Sequence, residues 1–116
     1  MSARFNEVAA LLRQFAEVRD WQKFHSPKNL ACALTVEASE LLEICQWMSE
    51  EQSRVLPIEK RLAAESEMAD VLSYLMHLAH QLGIDLLDAT AKKIAMNEVR
   101  YPIEKAKGRS DKYDEL

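Results

Sequence analysis

From Ile58 to Leu82 the chain runs without a glycine or a proline, and apolar side chains recur on two sides of the helix this stretch predicts. At about 100° per residue, Val71, Leu75, Leu78 and Leu82 share one side, while Leu72, Met76 and Ala79 share another. A helix that is apolar almost all round is covered on two fronts. A chain of 116 residues makes one domain, so the second front is expected to meet another subunit rather than a second core. Gly83 follows the last apolar position and is a natural stop.

The remainder of the chain reads the same way. It holds only 2 Gly and 3 Pro, too few turn formers for a β-rich protein, and the fold class is expected to be all-α. A first helix is predicted over about Phe5 to Arg19, with Phe5, Val8, Leu11, Leu12 and Phe15 in one stripe. Ser26 and Pro27 supply a cap and first turn for a second helix, from about Lys28 to Met48. A polar stretch, Ser49 to Pro57, leads to the long third helix. Asp85 can cap a fourth that ends near Tyr101 and Pro102. The expectation is an antiparallel helical bundle over residues 1–102, followed by a polar tail over residues 103–116.

Charge and cysteine usage narrow the function classes. A net charge of −4 argues against a general nucleic-acid binder, which carries a basic balance. An anionic small molecule stays open, because a bound cation inverts the local charge. Cys32 and Cys45 fall in one helix at a separation of roughly 20 Å, too far for a disulfide, and read as core thiols of a reducing compartment. The amphipathic start lacks the apolar block of a signal peptide, and the KYDEL ending matches an ER-retention tail only superficially. No apolar run is long enough to span a membrane. A cytoplasmic location follows as the expectation, with neither membrane nor nucleic acid as partner.

Acidic residues interrupt the apolar stripes. Glu37 lies between Leu30, Leu41, Ile44 and Met48 on the helical wheel, with Glu40 at the stripe's edge one turn on. Glu67 lies among Ala64, Val71, Tyr74 and Leu78, again with Asp70 at the edge. Acidic pairs on helices are ordinarily solvated, but a carboxylate buried without a partner costs several kcal/mol, and four together repel one another. Compensation could come from Lys60, Lys93 or Arg100 in a salt-bridge network, or from a divalent metal. An all-oxygen donor set favours a hard cation such as Mg²⁺. Neither pair is the Glu-x-x-His of a di-iron bundle, and no Cys/His set suits zinc.

Glu37-x-x-Glu40, 26 intervening residues and Glu67-x-x-Asp70 together resemble the signature of the all-α nucleoside triphosphate pyrophosphohydrolases, the MazG-like group. The segments RDWQKFHSPKNLACAL, LLEICQW, EMADVLSYL, KIAMNEVRYP and KYDEL are similar to its dCTP pyrophosphatase branch. The resemblance implies that Glu37, Glu40, Glu67 and Asp70 hold Mg²⁺. It also implies a bundle assembled as a homodimer or a dimer of dimers, with active sites at subunit contacts. The implied reaction converts a nucleoside triphosphate to the monophosphate and pyrophosphate by in-line attack of water, with Glu40 as a candidate for the water's proton. Among substrates dCTP comes first, with dUTP and phosphoribosyl-ATP as alternatives. A helical interaction module without catalysis is the competing class.

Substrate contacts are assigned in the same frame. Trp21, His25 and Trp47 are expected to form a base pocket, since aromatic rings stack on nucleobases, with Asn29 offering amide hydrogen bonds. Either tryptophan could instead anchor the core. Tyr74, one turn beyond Asp70, can turn its hydroxyl to the metal or a sugar, or serve as a core tyrosine. Lys93, Asn97 and Arg100 share one face of the fourth helix. The resemblance assigns Lys93 and Arg100 to phosphates and Asn97 to sugar or phosphate, where a solvated face is the bland alternative. Glu43 supports the acidic face or is solvated. His77 and His80 lack a third ligand and read as structural.

Overall fold

Capping side chains, those of Ser26, Ser49 and Asp85, set the starts of three of the helices. The computed structural model describes residues 2–116, which fall into two compact units divided after Gly83. In the first unit, α1 spans Ser2–Glu17. It is closed by Asp20 in the left-handed region, φ 56°, which aspartate tolerates better than most residues. Trp21 then folds back, its N–H donating to the Ala16 carbonyl at 3.0 Å and its ring meeting Phe15 edge-on at 5.7 Å. A short 3-10 turn, Gln22–Phe24, leads into α2, Pro27–Cys45. Ser26 caps α2 by accepting from the Asn29 N–H at 3.1 Å, with Pro27 in the first turn where no donor is needed.

The polar stretch between the two long helices is itself helical: α3 spans Glu50–Arg54, set by a reciprocal capping box between Ser49 and Gln52. The long helix α4 spans Ile58–Leu82, as the uninterrupted apolar pattern predicts, and ends at Gly83 with φ 66°. α2 packs along α4, and α1 packs against α4 as well. Leu30 and Ala33 share a cleft with Tyr74, while Glu43, Ile44 and Met48 share another with Lys60. Numbers rise along α2 as they fall along α4, so the pair is antiparallel.

The core of this unit is small. Ala16, Leu30, Met76 and Ala79 are its buried apolar side chains. On the side of α4 that carries Leu72, Met76 and Ala79, burial changes along the helix: Met76 and Ala79 are buried, while Leu62, Met68 and Leu72, nearer its start, remain 57%, 59% and 44% exposed.

Three expectations need correction. α2 ends at Cys45 rather than Met48. The Met48 N–H donates to the Cys45 carbonyl at 3.0 Å in a tighter turn, and no glycine or proline in the sequence marks this end. Trp47 consequently lies beyond the helix. Cys32 is exposed rather than a core thiol, although Cys45 is half-buried and both are free. The segment after Pro102 is also not featureless.

In the second unit, α5 spans Leu86–Arg100, with the Asp85 carboxylate accepting from the Asp88 N–H at 3.0 Å. α6 spans Ile103–Ala106, and a 3-10 turn covers Tyr113–Glu115. Tyr113 meets Tyr101 edge-on at 6.2 Å and lies 4.7 Å beneath the Arg100 guanidinium. The ending is thus folded onto the C-terminal end of α5. None of the described helices is long and apolar enough to cross a membrane.

Candidate active site

The seam between α2 and α4 collects the acidic residues because of helical spacing. On α2, Leu30, Ala33, Glu37, Glu40 and Ile44 recur at three- and four-residue intervals, within about 80° of one another on the wheel. On α4, Glu67, Asp70, Tyr74 and His77 do the same. Laying the two stripes antiparallel brings acids opposite acids. Carboxylate oxygens of Glu37, Glu67 and Asp70 lie within 4.8 Å of one another. Glu40, half-buried like Glu37 and Glu67, is close enough to repel both of them.

Among the described residues, no ion pair offsets this concentration of charge. The ion pairs among the described residues join Arg4 to Glu7, Lys23 to Asp20, Arg54 to Glu51, Lys92 to Asp88 and Arg109 to Asp111. None involves the four acids. One oxygen each of Glu37 and Glu67 is shut off from solvent without a hydrogen-bond partner, a situation that protein structures ordinarily avoid. Loss of water pushes the Glu37 carboxyl up from 4.5 to about 7, and the carboxylates of Glu40, Glu67 and Asp70 add to the rise. Glu67 is raised as well, burial again being the main cause. Converging carboxylates, two of which carry an orphaned oxygen, suit a hard divalent cation, which would satisfy lone pairs and cancel the repulsion together.

Beside the acids lies an aromatic recess. Trp21, Phe24, His25, Asn29, Leu30 and Tyr74 line a cleft of about 240 Å³. A second cleft of about 190 Å³ shares Trp21, His25 and Tyr74 with the first and adds Asp70, Ser73 and His77. The chain thus brings four of the expected substrate residues, Trp21, His25, Asn29 and Tyr74, to the flank of one of the four acids. Asn29 is already engaged, its amide donating to the Phe24 carbonyl at 3.1 Å, which holds the turn in place.

Trp47 is not brought to this recess within the chain. It is 90% exposed and lines a separate cleft of about 400 Å³ with Glu43, Met48, Gln52 and Lys60. Lys93, Asn97 and Arg100 belong to the second unit. Lys93 and Arg100 are exposed there, with Arg100 over the Tyr113 ring. The half-buried Asn97 accepts the Tyr101 N–H on its backbone carbonyl at 2.8 Å. Phe24, Ser73 and His77 line the clefts without having been singled out as substrate contacts. His77 stands two turns from Asp70 on the same side of α4, a signal the wheel carries.

Comparison with known proteins identifies the family. Residues 32–116 match the MazG-like family. The chain is 38% identical to dCTP pyrophosphatase 1 of Mus musculus over 112 residues, 95% of this chain and 66% of that protein. The figures are the same for dCTP pyrophosphatase 1 of Homo sapiens. It therefore spans just under two thirds of the length of these relatives. A crystal structure of a pyrophosphatase from Archaeoglobus fulgidus superposes with a TM-score of 0.81 at 38% identity, covering 85% of this chain and 93% of that one. The chain belongs to the MazG-like family.

Proposed function

We propose that the protein is a Mg²⁺-dependent nucleoside triphosphate pyrophosphohydrolase, converting a deoxynucleoside triphosphate, dCTP first, to the monophosphate and pyrophosphate. The observation that carries this reading is the convergence of Glu37, Glu67 and Asp70, none of which is ion-paired among the described residues. The dCTP pyrophosphatase relatives support the choice of substrate class.

Glu37, Glu40, Glu67 and Asp70 would hold the ion. Bound there, a hard divalent cation would neutralise polyphosphate charge and make water more acidic. Glu40 sits beside Glu37 and Glu67 and is the group to which we assign the proton of the attacking water. The water oxygen joins the α-phosphorus, the α–β anhydride bond breaks, and pyrophosphate leaves. Trp21 stacks on the base, a contact of about 1–3 kcal/mol in comparable sites. His25 and Asn29 border the base, and Tyr74 turns its hydroxyl to the sugar or the metal. Lys93 and Arg100 take phosphates, and Asn97 takes sugar or phosphate. Trp47 completes the base pocket from a second copy in a homodimer or homotetramer, joined through the exposed apolar residues Leu62, Met68 and Leu72 of α4.

The test is pyrophosphate release from the four deoxynucleoside triphosphates, with dUTP and phosphoribosyl-ATP alongside, in Mg²⁺ and in EDTA. The reading expects Mg²⁺-dependent release, greatest for dCTP and lost in Glu67→Gln with the helical circular dichroism intact. Release that persists in EDTA, or in Glu67→Gln, refutes it.

A further inference from the structure

Burying an imidazole is unfavourable unless something is gained, and His77 is the one polar residue among the buried side chains described. It sits on α4 two turns from Asp70, with its ring centroid 4.5 Å from that of His25 and the planes inclined at 51°. Both rings line the same cleft as Asp70 and Tyr74. His25 comes from a different kind of element. It follows the three-residue turn Gln22–Phe24, and its backbone N–H is held only by the Gln22 carbonyl at 3.0 Å. A turn of three residues offers a side chain less neighbouring structure to fix its rotamer than a long helix does. The long helix α4 offers what the turn lacks: a fixed ring against which His25 can rest.

We infer that His77 is a positioning residue for substrate binding, its buried ring packing at a tilt against His25 and holding that imidazole pre-aligned along the cleft wall. The inference rests on the proposed nucleotide hydrolysis and adds to it a residue that touches His25 rather than the reacting atoms. Two facing imidazoles tolerate one another best when they are not both charged. Burial lowers the pKa of His77 from 6.5, with His25, His80 and Arg13 adding to the effect, so the ring is neutral at pH 7. Asp70, the acid bordering the same cleft, is exposed. Pre-ordering one side chain corresponds to roughly a two- to tenfold gain in affinity.

The experiment is a double-mutant cycle on the full chain, combined with NMR of the imidazole rings. His77→Ala is expected to raise KM for dCTP roughly two- to tenfold, with kcat changed less than twofold. His77→Phe restores a flat ring, and with it most of the lost affinity. In a His25→Ala background His77→Ala has no further effect on KM, because its route of action is gone. His25 ring signals move in His77→Ala and return toward their original positions in His77→Phe. An unchanged KM, or an equal KM penalty with and without His25, overturns the inference and makes His77 a core filler. A wild-type protein that releases no pyrophosphate defeats the functional reading instead. The contact is then judged by whether dCTP shifts the His25 signals less in His77→Ala than in wild type; equal shifts overturn it.

Discussion

Mg²⁺ binding should expel protons, and the amount is set by the crowding of Glu37. With its pKa at about 7, this carboxyl is roughly 9% ionised at pH 6, half ionised at pH 7 and 91% ionised at pH 8. A metal ligand must be deprotonated. Binding therefore releases about 0.9 proton from Glu37 at pH 6, about 0.5 at pH 7 and about 0.1 at pH 8. The apparent affinity falls by about fivefold from pH 7 to pH 6. Glu67, raised in the same direction, adds to both effects.

Stability moves the opposite way. A carboxyl whose folded pKa lies above its unfolded value leaves the unfolded chain holding fewer protons, so its contribution to stability is present below about pH 4.5 and lost as pH rises through about 7. The metal-free protein should melt at lower temperature at pH 8 than at pH 5.5, as far as this group decides it. Mg²⁺ at about 100 times its Kd should return about 2.7 kcal/mol. Isothermal titration calorimetry in two buffers of different ionisation enthalpy counts the protons directly. No proton release at pH 6, with an affinity that is flat from pH 6 to pH 8, refutes the reasoning.

Other outcomes follow from the packing. Leu30 is 1% exposed in the α2–α4 seam, so Leu30→Ala should lower unfolding free energy by about 2–5 kcal/mol in urea titrations. Gly83 has φ 66° with open space where a Cβ would sit, so Gly83→Ala costs about 1 kcal/mol of backbone strain alone, and a melting temperature equal to wild type contradicts this. Tyr113 supports Arg100 through its ring face. Tyr113→Leu should therefore raise KM for the triphosphate while Tyr113→Phe does not, as steady-state kinetics would show.

The parts of the structure legible in the chain were those with local punctuation. α4 was readable to the residue because Pro57 and Gly83 bracket an unbroken apolar run. The start of α2 was equally plain in Ser26 and Pro27. Its end was not, since the helix gives way at Gln46 to turns with no glycine, and the short helix α3 hid its capping box in a stretch that reads simply as polar. The acidic cluster was foreseeable because spacing along two helices determines which side chains share a face.

What spacing could not reveal was depth and neighbourhood. Trp47 and Trp21 look alike as cleft aromatics, yet only Trp21 is drawn in by Phe15, while Trp47 falls past the helix end. His77 read as structural because its partner, His25, comes from a turn about fifty residues away, a contact that only the tertiary fold makes.

Diffraction from crystals soaked in Mn²⁺, recorded at the manganese absorption edge, tests the central claim most directly. An anomalous peak among the carboxylates of Glu37, Glu67 and Asp70, absent in Glu67→Gln, is the predicted result. Crystals that bind the ion only elsewhere, or in which a lysine or arginine of any copy fills the space between these acids, contradict it.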